Sequence, residues 1–541
     1  MLTFKNRYLI KGILTVETPL HIGSGETTTH PKLITETGEH GKRIEISAVA
    51  KDAQNKPYIP ASTLKGNLRA WLETRVDDKS LVELVFGHSP KEANQEDGHC
   101  GKIDFWDAHL AGKCVIANPE QRAFPYWDEE RQTGVQVGVT IDRQTRTARE
   151  ERLFHWEIVP PGLRFEVHLT GENLKNDELA LLLAGLEGFN DEKRPVMLGS
   201  ETAQNQGKMR WQSSEAKIQC LDQEAVRAWL EEPDDEQRGM WFKAIKPVNQ
   251  SKQAQLMKLG NKLITSESNR PTLRLVMRLK FDTPFLVNDP SKEKEGVHNF
   301  QPRRDAKGRV LLPAKSMRGA VRAQAERIIR TLNGKAAGLV DETYKANDKA
   351  ACCVDDKKSA CKPIQSIEEV DGLCLACQLF GATGWQTPIR ISDFSLVESQ
   401  GEFDQDFVAI DRFTGGGSEG AKFRARVTHA PLLEGHWDID LKRVKLWGLG
   451  LLALVIRDLT EGDVTFGYGA AKGYGHARLT IQDYSINTLE NCFIGEVDWQ
   501  GLNPAMPNEW QKNHPELLRT FIKEELVEAF REKCRDLESK A

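Results

Sequence analysis

The sequence predicts an α+β chain built from one unit used twice. Three observations carry that reading: strand-like segments that alternate apolar and polar residues, helix-start signatures that follow them, and the return of both in the same order in the second half. The first strand-like segment, Tyr8 to Glu26, reads YLIKGILTVETPLHIGSGE, and its counterpart, Leu273 to Asp289, reads LRLVMRLKFDTPFLVND. In the counterpart Leu273, Leu275, Met277, Leu279 and Phe281 recur at every other position, the period of a half-buried strand. Both segments reach Thr-Pro (Thr18-Pro19, Thr283-Pro284), where proline lacks the N–H needed to continue a ladder.

Next stand PYIPASTLKGNLRAWLE (57–73) and VLLPAKSMRGAVRAQAE (310–326), in which Pro60, Lys65, Gly66 and Arg69 match Pro313, Arg318, Gly319 and Arg322. Proline followed by Ser or Thr signals a helix start. Lys65 and Arg69, like Arg318 and Arg322, sit four apart on one helix face. Free N–H groups at a helix start, two cations and a glycine make an anion site suited to phosphate. A single copy favours an ordinary capped helix with solvated charges; two matched copies favour phosphate.

VFG (85–87) and LFG (379–381) follow, then DFWDAHL (104–110) and RISDFSL (390–396), then TIDRQT (140–145) and AIDRFT (409–414). Ile-Asp-Arg-x-Thr leads into a polar or Gly-rich stretch and a strand-like return. This predicts a hairpin with a mobile tip, its base braced by Asp142 with Arg143 and by Asp411 with Arg412. Leu-rich helical segments (Leu179 to Phe189, Leu446 to Leu459) precede MLGSETAQNQGKMRW (197–211) and TFGYGAAKGYGHARL (465–479). The latter carries Gly467, Gly469, Gly473 and Gly475 among Tyr468, Lys472, Tyr474 and His476, but fits neither the Walker nor the dinucleotide spacing. Such a loop brings backbone close to a polyanion and offers aromatic faces; a tight turn is the plain alternative.

The repeat divides the chain into a first domain (1–215), a helical linker (216–270), a second domain (271–485) and a helical tail (486–541) with apolar Leu517, Leu518, Phe521, Leu526 and Phe530. With 541 residues, 39% apolar and 28% charged, two large cores are affordable and disorder is excluded. A net charge of −5 advertises no global affinity for nucleic acid, though a local basic groove remains compatible. No apolar run approaches the ~20 residues of a membrane span, and no signal-peptide core forms at the N-terminus. The expected location is cytoplasmic, without a membrane partner.

Ten cysteines are too few for a disulfide scaffold, but five lie between Cys352 and Cys377. Cys374-x-x-Cys377 suits one zinc ion, and Cys361 with Cys353 or Cys352 completes a closed, structural tetrahedron in an insertion at about 335–378. The matching place in the first half offers His88, His99, Cys100 and Cys114, either a degenerate second site or solvated loop residues.

These blocks resemble the RAMP superfamily, specifically the backbone subunits of type III CRISPR effector complexes, with two copies fused. The resemblance rests on TPLHIGSG (18–25), PYIPASTLKGNLR (57–69), LLPAKSMRGAVR (311–322), CLACQLFG (374–381), IDRFTGGG (410–417) and GYGAAKGYGHARL (467–479). It implies an RRM-like (ferredoxin-like) core in each half and a thumb hairpin after Ile-Asp-Arg. It implies guide-RNA contact by Lys65, Gly66, Arg69, Arg318, Gly319 and Arg322, by Arg143 and Arg412 of the thumbs, and by Gly467, Gly469, Lys472, Gly473 and Gly475. It also implies guide RNA, target RNA and other effector subunits as partners. The family cuts target RNA with a divalent metal, Mg2+ or Mn2+, through an aspartate ahead of a basic-Asp pair. Here the pairs are Lys51-Asp52 and Arg304-Asp305, and counting back lands on Ile46 and Asn299. Glu45 beside Ile46 is therefore the first candidate and Asp289 the second. The alternatives are a non-catalytic guide-RNA scaffold and a guide-RNA-processing endoribonuclease using His21 or His476.

Overall fold

The structure is a computed structural model that describes residues 4–34, 43–88, 98–112, 126–141, 148–192, 194–231, 245–264, 271–289, 300–305, 307–332, 361–487 and 525–539. The chain forms two compact units: Met1–Gln136 with His155–Thr202 and Gln206–Asn269, and Val137–Phe154 with Ala203–Asn205 and Arg270–Ala541.

The first sequence copy opens with β1 (Asn6–Val16), β2 (Gly23–Ile34) and β3 (Arg43–Val49), then α1 (Ala61–Glu73) and α2 (Lys79–Phe86). The short strands β4 (Gly87–His88), β5 (His99–Cys100), β6 (Ile103–Phe105) and β7 (His109–Leu110) follow, then β8 (Gly134–Ile141), β9 (Ala148–Ile158), β10 (Arg164–Glu172) and α3 (Asn176–Glu187). It closes with β11 (Met209–Trp211), β12 (Lys217–Asp222), α4 (Gln223–Glu231), β13 (Lys246–Pro247) and α5 (Gln250–Leu263). The second copy runs β14 (Thr272–Phe281), β15 (Leu311–Leu312), α6 (Ala314–Leu332), α7 (Leu375–Phe380), β16 (Ile389–Ile391) and β17 (Phe394–Glu398). It continues with β18 (Glu402–Ile410), β19 (Gly417–Thr428), β20 (Leu432–Asp440), α8 (Leu446–Glu461), β21 (Ala477–Asn487) and α9 (Glu528–Ser539).

The two main sheets share one order. In the first, β1 lies between β10 and the pair β11 and β12, with β6 and β7 beyond β10. In the second, β14 lies between β20 and β21, with β16 and β17 beyond β20. Period-2 patterning explains this arrangement: Tyr8, Ile10, Leu14 and Val16 alternate inward from β1, as Leu275, Met277, Leu279 and Phe281 do from β14. Those residues meet Leu64, Leu68 and Leu72 of α1 in the first core, and Met317, Val321 and Ala325 of α6 in the second.

Both predicted hairpins form. β8 pairs with β9 inside a four-stranded sheet with β2 and β3, and β18 pairs with β19 as a separate ribbon. The segment read as a linker contains the expected helix, α4, but also extends the first sheet through β12 and β13. Ile218 and Leu221 are buried, so sheet pairing continues past residue 215. α5 then packs on α3, where Gly260 comes so close that a Cβ would lie 2.6 Å from the Ala180 carbonyl oxygen. The tail docks in the same manner. Leu526, Phe530 and Cys534 enter the second core, and a Cβ on Gly450 of α8 would meet the Leu526 carbonyl at 1.9 Å. Leu517, Leu518 and Phe521 lie outside the described residues. No helix among the described residues is long and apolar enough to cross a membrane.

Candidate functional site

The two helix-start blocks fold alike, and their polar groups are spoken for in the same way. The Asp107 carboxylate accepts from the Ala61 N–H at 2.7 Å, and Asp393 accepts from Ala314 at 2.7 Å. The aspartates of DFWDAHL and RISDFSL thus cap α1 and α6. This corrects the expectation of free N–H groups there: a carboxylate already holds the first N–H of each helix, where a phosphate would be repelled. Arg69 donates from Nε to Glu73 at 2.7 Å and from Nη1 to the Gly87 carbonyl at 3.0 Å. Arg322 repeats this with Glu326 at 2.8 Å and Gly381 at 3.4 Å, and also donates to Cys377 Sγ at 3.3 Å. Arg318 donates to the Phe380 carbonyl. Arg69 and Arg322 thus tie each long helix to the glycine that ends the next one.

The rest of the block faces outward. Lys65 has no hydrogen bond or ion pair among the described residues. A Cβ on Gly66 or Gly319 would meet nothing within 4 Å. Glycine inside a helix costs about 1 kcal/mol relative to alanine. Neither site needs glycine to fit its own fold, so both leave open backbone for something outside it.

The glycine-bearing loops are one backbone built from different residues. Gly467, Gly469, Gly473 and Gly475 all have positive φ, and at the matching positions so do Gly199, Glu201, Asn205 and Gly207. The outer pair is sterically fixed: a Cβ would lie 2.4 Å from the Leu286 or His21 carbonyl, and 2.0 or 1.8 Å from the Phe466 or Leu198 carbonyl. At the inner pair the first copy uses Glu201 and Asn205 instead of glycine, so its shorter glycine run still makes the loop. Lys472, expected on RNA, is exposed but leans on aromatic rings. Its Nζ donates to Tyr468 Oη at 2.7 Å and sits 4.5, 4.7 and 5.0 Å from the ring centres of Phe423, Tyr468 and Phe407. Phe300 stacks on Tyr468 at 4.9 Å, and Tyr474 donates to Gln405 of β18. The aromatic residues of this loop therefore pin the base of the second hairpin.

At the tip of that hairpin, Asp411 Oδ1 accepts from the N–H of Phe413 at 3.0 Å and from Thr414 N–H and Oγ1 at 2.7 and 3.0 Å. These bonds to an exposed turn hold its carboxyl below the usual range. The motif is not at the hairpin base, where its sequence suggests; Asp411 closes the turn at the end, because its short side chain reaches the N–H groups two and three residues on. Arg412 is exposed and Phe413 is 99% exposed. Arg143 and the tip of the first hairpin lie outside the described residues.

Glu45 is exposed on β3, opposite Thr29 of β2, in a strand rather than a loop. Asp289 is half-buried, and its N–H donates to the Gln301 carbonyl at 2.9 Å. Neither belongs to a group of three metal-ligating side chains among the described residues. The basic-Asp pairs are structural. Asp52 and Asp305 each accept two N–H groups of the following turn, from Gln54 and Lys56 and from Lys307 and Arg309. Lys51 meets the fully buried Glu157 of β9 at 2.8 Å, and Arg304 grips Glu402 of β18 at 2.7 and 2.8 Å. His21 is buried, with Nδ1 2.6 Å from the Glu157 carbonyl, and His476 lies 3.4 Å from Asp282.

The sulfurs of Cys361, Cys374 and Cys377 lie within 4.8 Å of one another. The Cys374 N–H donates to Cys361 Sγ at 3.3 Å and the Cys377 N–H to Cys374 Sγ at 3.4 Å. Three soft donors with N–H groups aimed at their sulfurs fit a zinc ion. Cys352 and Cys353, the expected fourth ligand, lie outside the described residues. In the first copy His88 and His99 stack at 6.1 Å, but they form no three-ligand group among the described residues, and Cys114 lies outside them.

The model of the RAMP superfamily matches the chain twice, over residues 13–203 and 278–478. The chain is also 25% identical over 237 residues to the CRISPR system Cms endoribonuclease Csm3 of Methanocaldococcus jannaschii, a match spanning 41% of this chain and 85% of that protein. Each family match takes in the capped helix of its copy and reaches the glycine-bearing loop. The chain belongs to the RAMP superfamily and carries its module twice in tandem.

Proposed function

We propose that the protein is a backbone subunit of a type III CRISPR ribonucleoprotein that binds guide RNA along both modules and presents target RNA for cleavage. The observation that carries this reading is the matched pair Gly66 and Gly319. Each keeps backbone open on the outer face of its helix, at a cost to helix stability that the fold itself does not require. Phosphate contact falls to Lys65, Arg318 and the exposed backbone at Gly66, Gly319 and Gly473. Arg69, Arg322, Lys472 and the outer loop glycines hold that surface in shape. The strand order, with β1 between β10 and β12 and β14 between β20 and β21, supports the RRM-like reading of each module.

The thumb tips enter the guide–target duplex, where Phe413 on its Asp411-closed turn acts as an aromatic wedge and Arg412 contacts phosphate. Arg143 has the corresponding role in the first thumb. Glu45 is the first candidate and Asp289 the second for helping Mg2+ or Mn2+ cleave the target strand. When bound, such an ion would stabilise the charge that develops on the phosphate. Cys353, Cys361, Cys374 and Cys377 hold one structural zinc. Metal analysis finding about one zinc per chain, lost in Cys374→Ser, supports that site; zinc-free protein refutes it.

The test of function reconstitutes the complex with guide RNA and labelled target, comparing wild type with Glu45→Ala and Asp289→Ala. Loss of a cleavage product in either variant supports the assignment. Unchanged products in both refute it. A scaffold reading stands second, favoured because neither carboxylate belongs to a group of three metal-ligating side chains among the described residues. It wins if no product depends on this subunit.

A further inference from the structure

The outer face of the first sheet, opposite the one that α1 covers, carries a row of four groups that the RAMP repeat does not explain. Lys11 of β1 stands opposite Lys217 of β12 on one side and His168 of β10 on the other. Beyond His168 comes Trp106, whose backbone N–H donates to the His168 carbonyl at 3.2 Å and whose ring stacks on the imidazole at 5.6 Å and 17°. Trp106 is 53% exposed and both lysines are exposed. Neither lysine has an ion pair or hydrogen bond among the described residues. Like charges directly opposite on a sheet repel.

The second module shows that the fold does not require this arrangement. The matching row reads Asp483, Val276, His436 and Ser392, and its Ser392 N–H bonds the His436 carbonyl at 2.9 Å, as Trp106 does His168. Its neighbouring rows are closed by Arg274 with Asp438 at 2.6 and 2.8 Å and by Arg278 with Glu434 at 2.7 Å. One face is thus satisfied by its own charges. The other holds an unneutralised cation pair beside an aromatic surface.

We propose that the first sheet's outer face binds an unpaired ribonucleotide, with the base stacked on Trp106 and the phosphate held between Lys11 and Lys217. Burial and the charge of Lys11 push the His168 imidazole below its ordinary value, so it backs the indole as a neutral ring. His168 Nε2 is shielded from water and has no hydrogen-bond partner among the described residues. The exposed carboxylates of Asp104 and Glu166, one row away on either side, offer acceptors to a base amine or a ribose hydroxyl. A base inside a duplex cannot offer its face, so the ligand is single-stranded. The site lies away from the Gly66 surface and stands whether or not guide binding follows the proposed path.

The test uses the full chain and an oligouridylate RNA carrying 4-thiouridine. Wild type should crosslink on the peptide that holds Trp106. Trp106→Ala should weaken binding about 5- to 100-fold, the range of one lost base stack, and Trp106→Phe should retain most of it. Lys11→Gln with Lys217→Gln should lower affinity and flatten its salt dependence. Trp106→Ala should still assemble with guide RNA, which separates this site from the helix faces. Equal binding by wild type and Trp106→Ala, or crosslinks confined to other peptides, overturns the proposal. So does a Trp106→Ala variant that binds RNA normally but loses a protein subunit, since the face would then be a protein interface.

Discussion

The two modules share a frame and brace it by different means. At the thumb base the first module uses a buried pair, Lys51 with Glu157, whose carboxylate also accepts from Thr133 at 2.7 Å and from the Val49 N–H at 3.2 Å. The second uses half-exposed pairs, Glu402 with Arg304 and Arg426, and adds the aromatic cluster around Lys472. A buried pair tolerates no loss of a partner, whereas an exposed one is backed up by water. The difference teaches that duplication preserved backbone geometry while the chemistry holding it diverged.

The comparison breaks most sharply at Glu157. Glu157→Ala strands Lys51 and two donors away from water and should cost about 3–5 kcal/mol, whereas Glu402→Ala should cost about 1–2 kcal/mol. Equilibrium unfolding in urea measures both, and equal costs would erase the distinction. The loops come next. Gly207→Ala and Gly475→Ala force a Cβ onto a carbonyl at positive φ and should each lose at least ~2 kcal/mol, while Asn205→Gly and Gly473→Asn should stay within ~1 kcal/mol. Similar losses at all four positions would show that the inner and outer glycines are not different in kind.

Acid should separate the modules more gently. Burial alone would raise Asp438, but the bonds and charge of Arg274, with His436 and Arg390, hold its carboxyl below the usual 3.8. A lowered folded value stabilises above the unfolded value and is lost as pH falls through the folded one. The second module should therefore lose stability below about pH 4 more steeply than Asp438→Asn does, whereas the first module has Thr170 at that place and lacks this contribution. Unfolding followed across pH 2–6 by module-specific fluorescence checks it. The smallest effect is at the open helix glycines: Gly66→Ala and Gly319→Ala should each stabilise by about 0.5–1 kcal/mol.

Much of this frame was legible in the sequence, because alternation and helix-start signals act locally. β14 lies where Leu273 to Phe281 alternate, and a hairpin forms around Ile-Asp-Arg-x-Thr, with the motif at its tip rather than its base. Long-range contacts were not legible. Nothing local in DFWDAHL says that Asp107 caps a helix some 45 residues earlier in the chain, a bond between residues 46 apart. Nothing in a Lys-x-x-x-Arg spacing says that Arg69 spends its donors on Glu73 and Gly87. The repeat itself was the missed signal, since Asp107 and Asp393 recur in register with the helices they cap. That the first sheet continues past residue 215 was not legible either, because β12 is short and polar on its outer side and its pairing with β1 shows only in three dimensions.

The central claim is that both helix faces grip one guide RNA, and affinity after filling the open glycines tests it most directly. Gly66→Leu and Gly319→Leu add bulk where the fold has room. Each variant should keep or raise the unfolding midpoint while weakening guide-RNA binding, with a larger loss in the double variant. Unchanged affinity in the folded double variant would contradict the account.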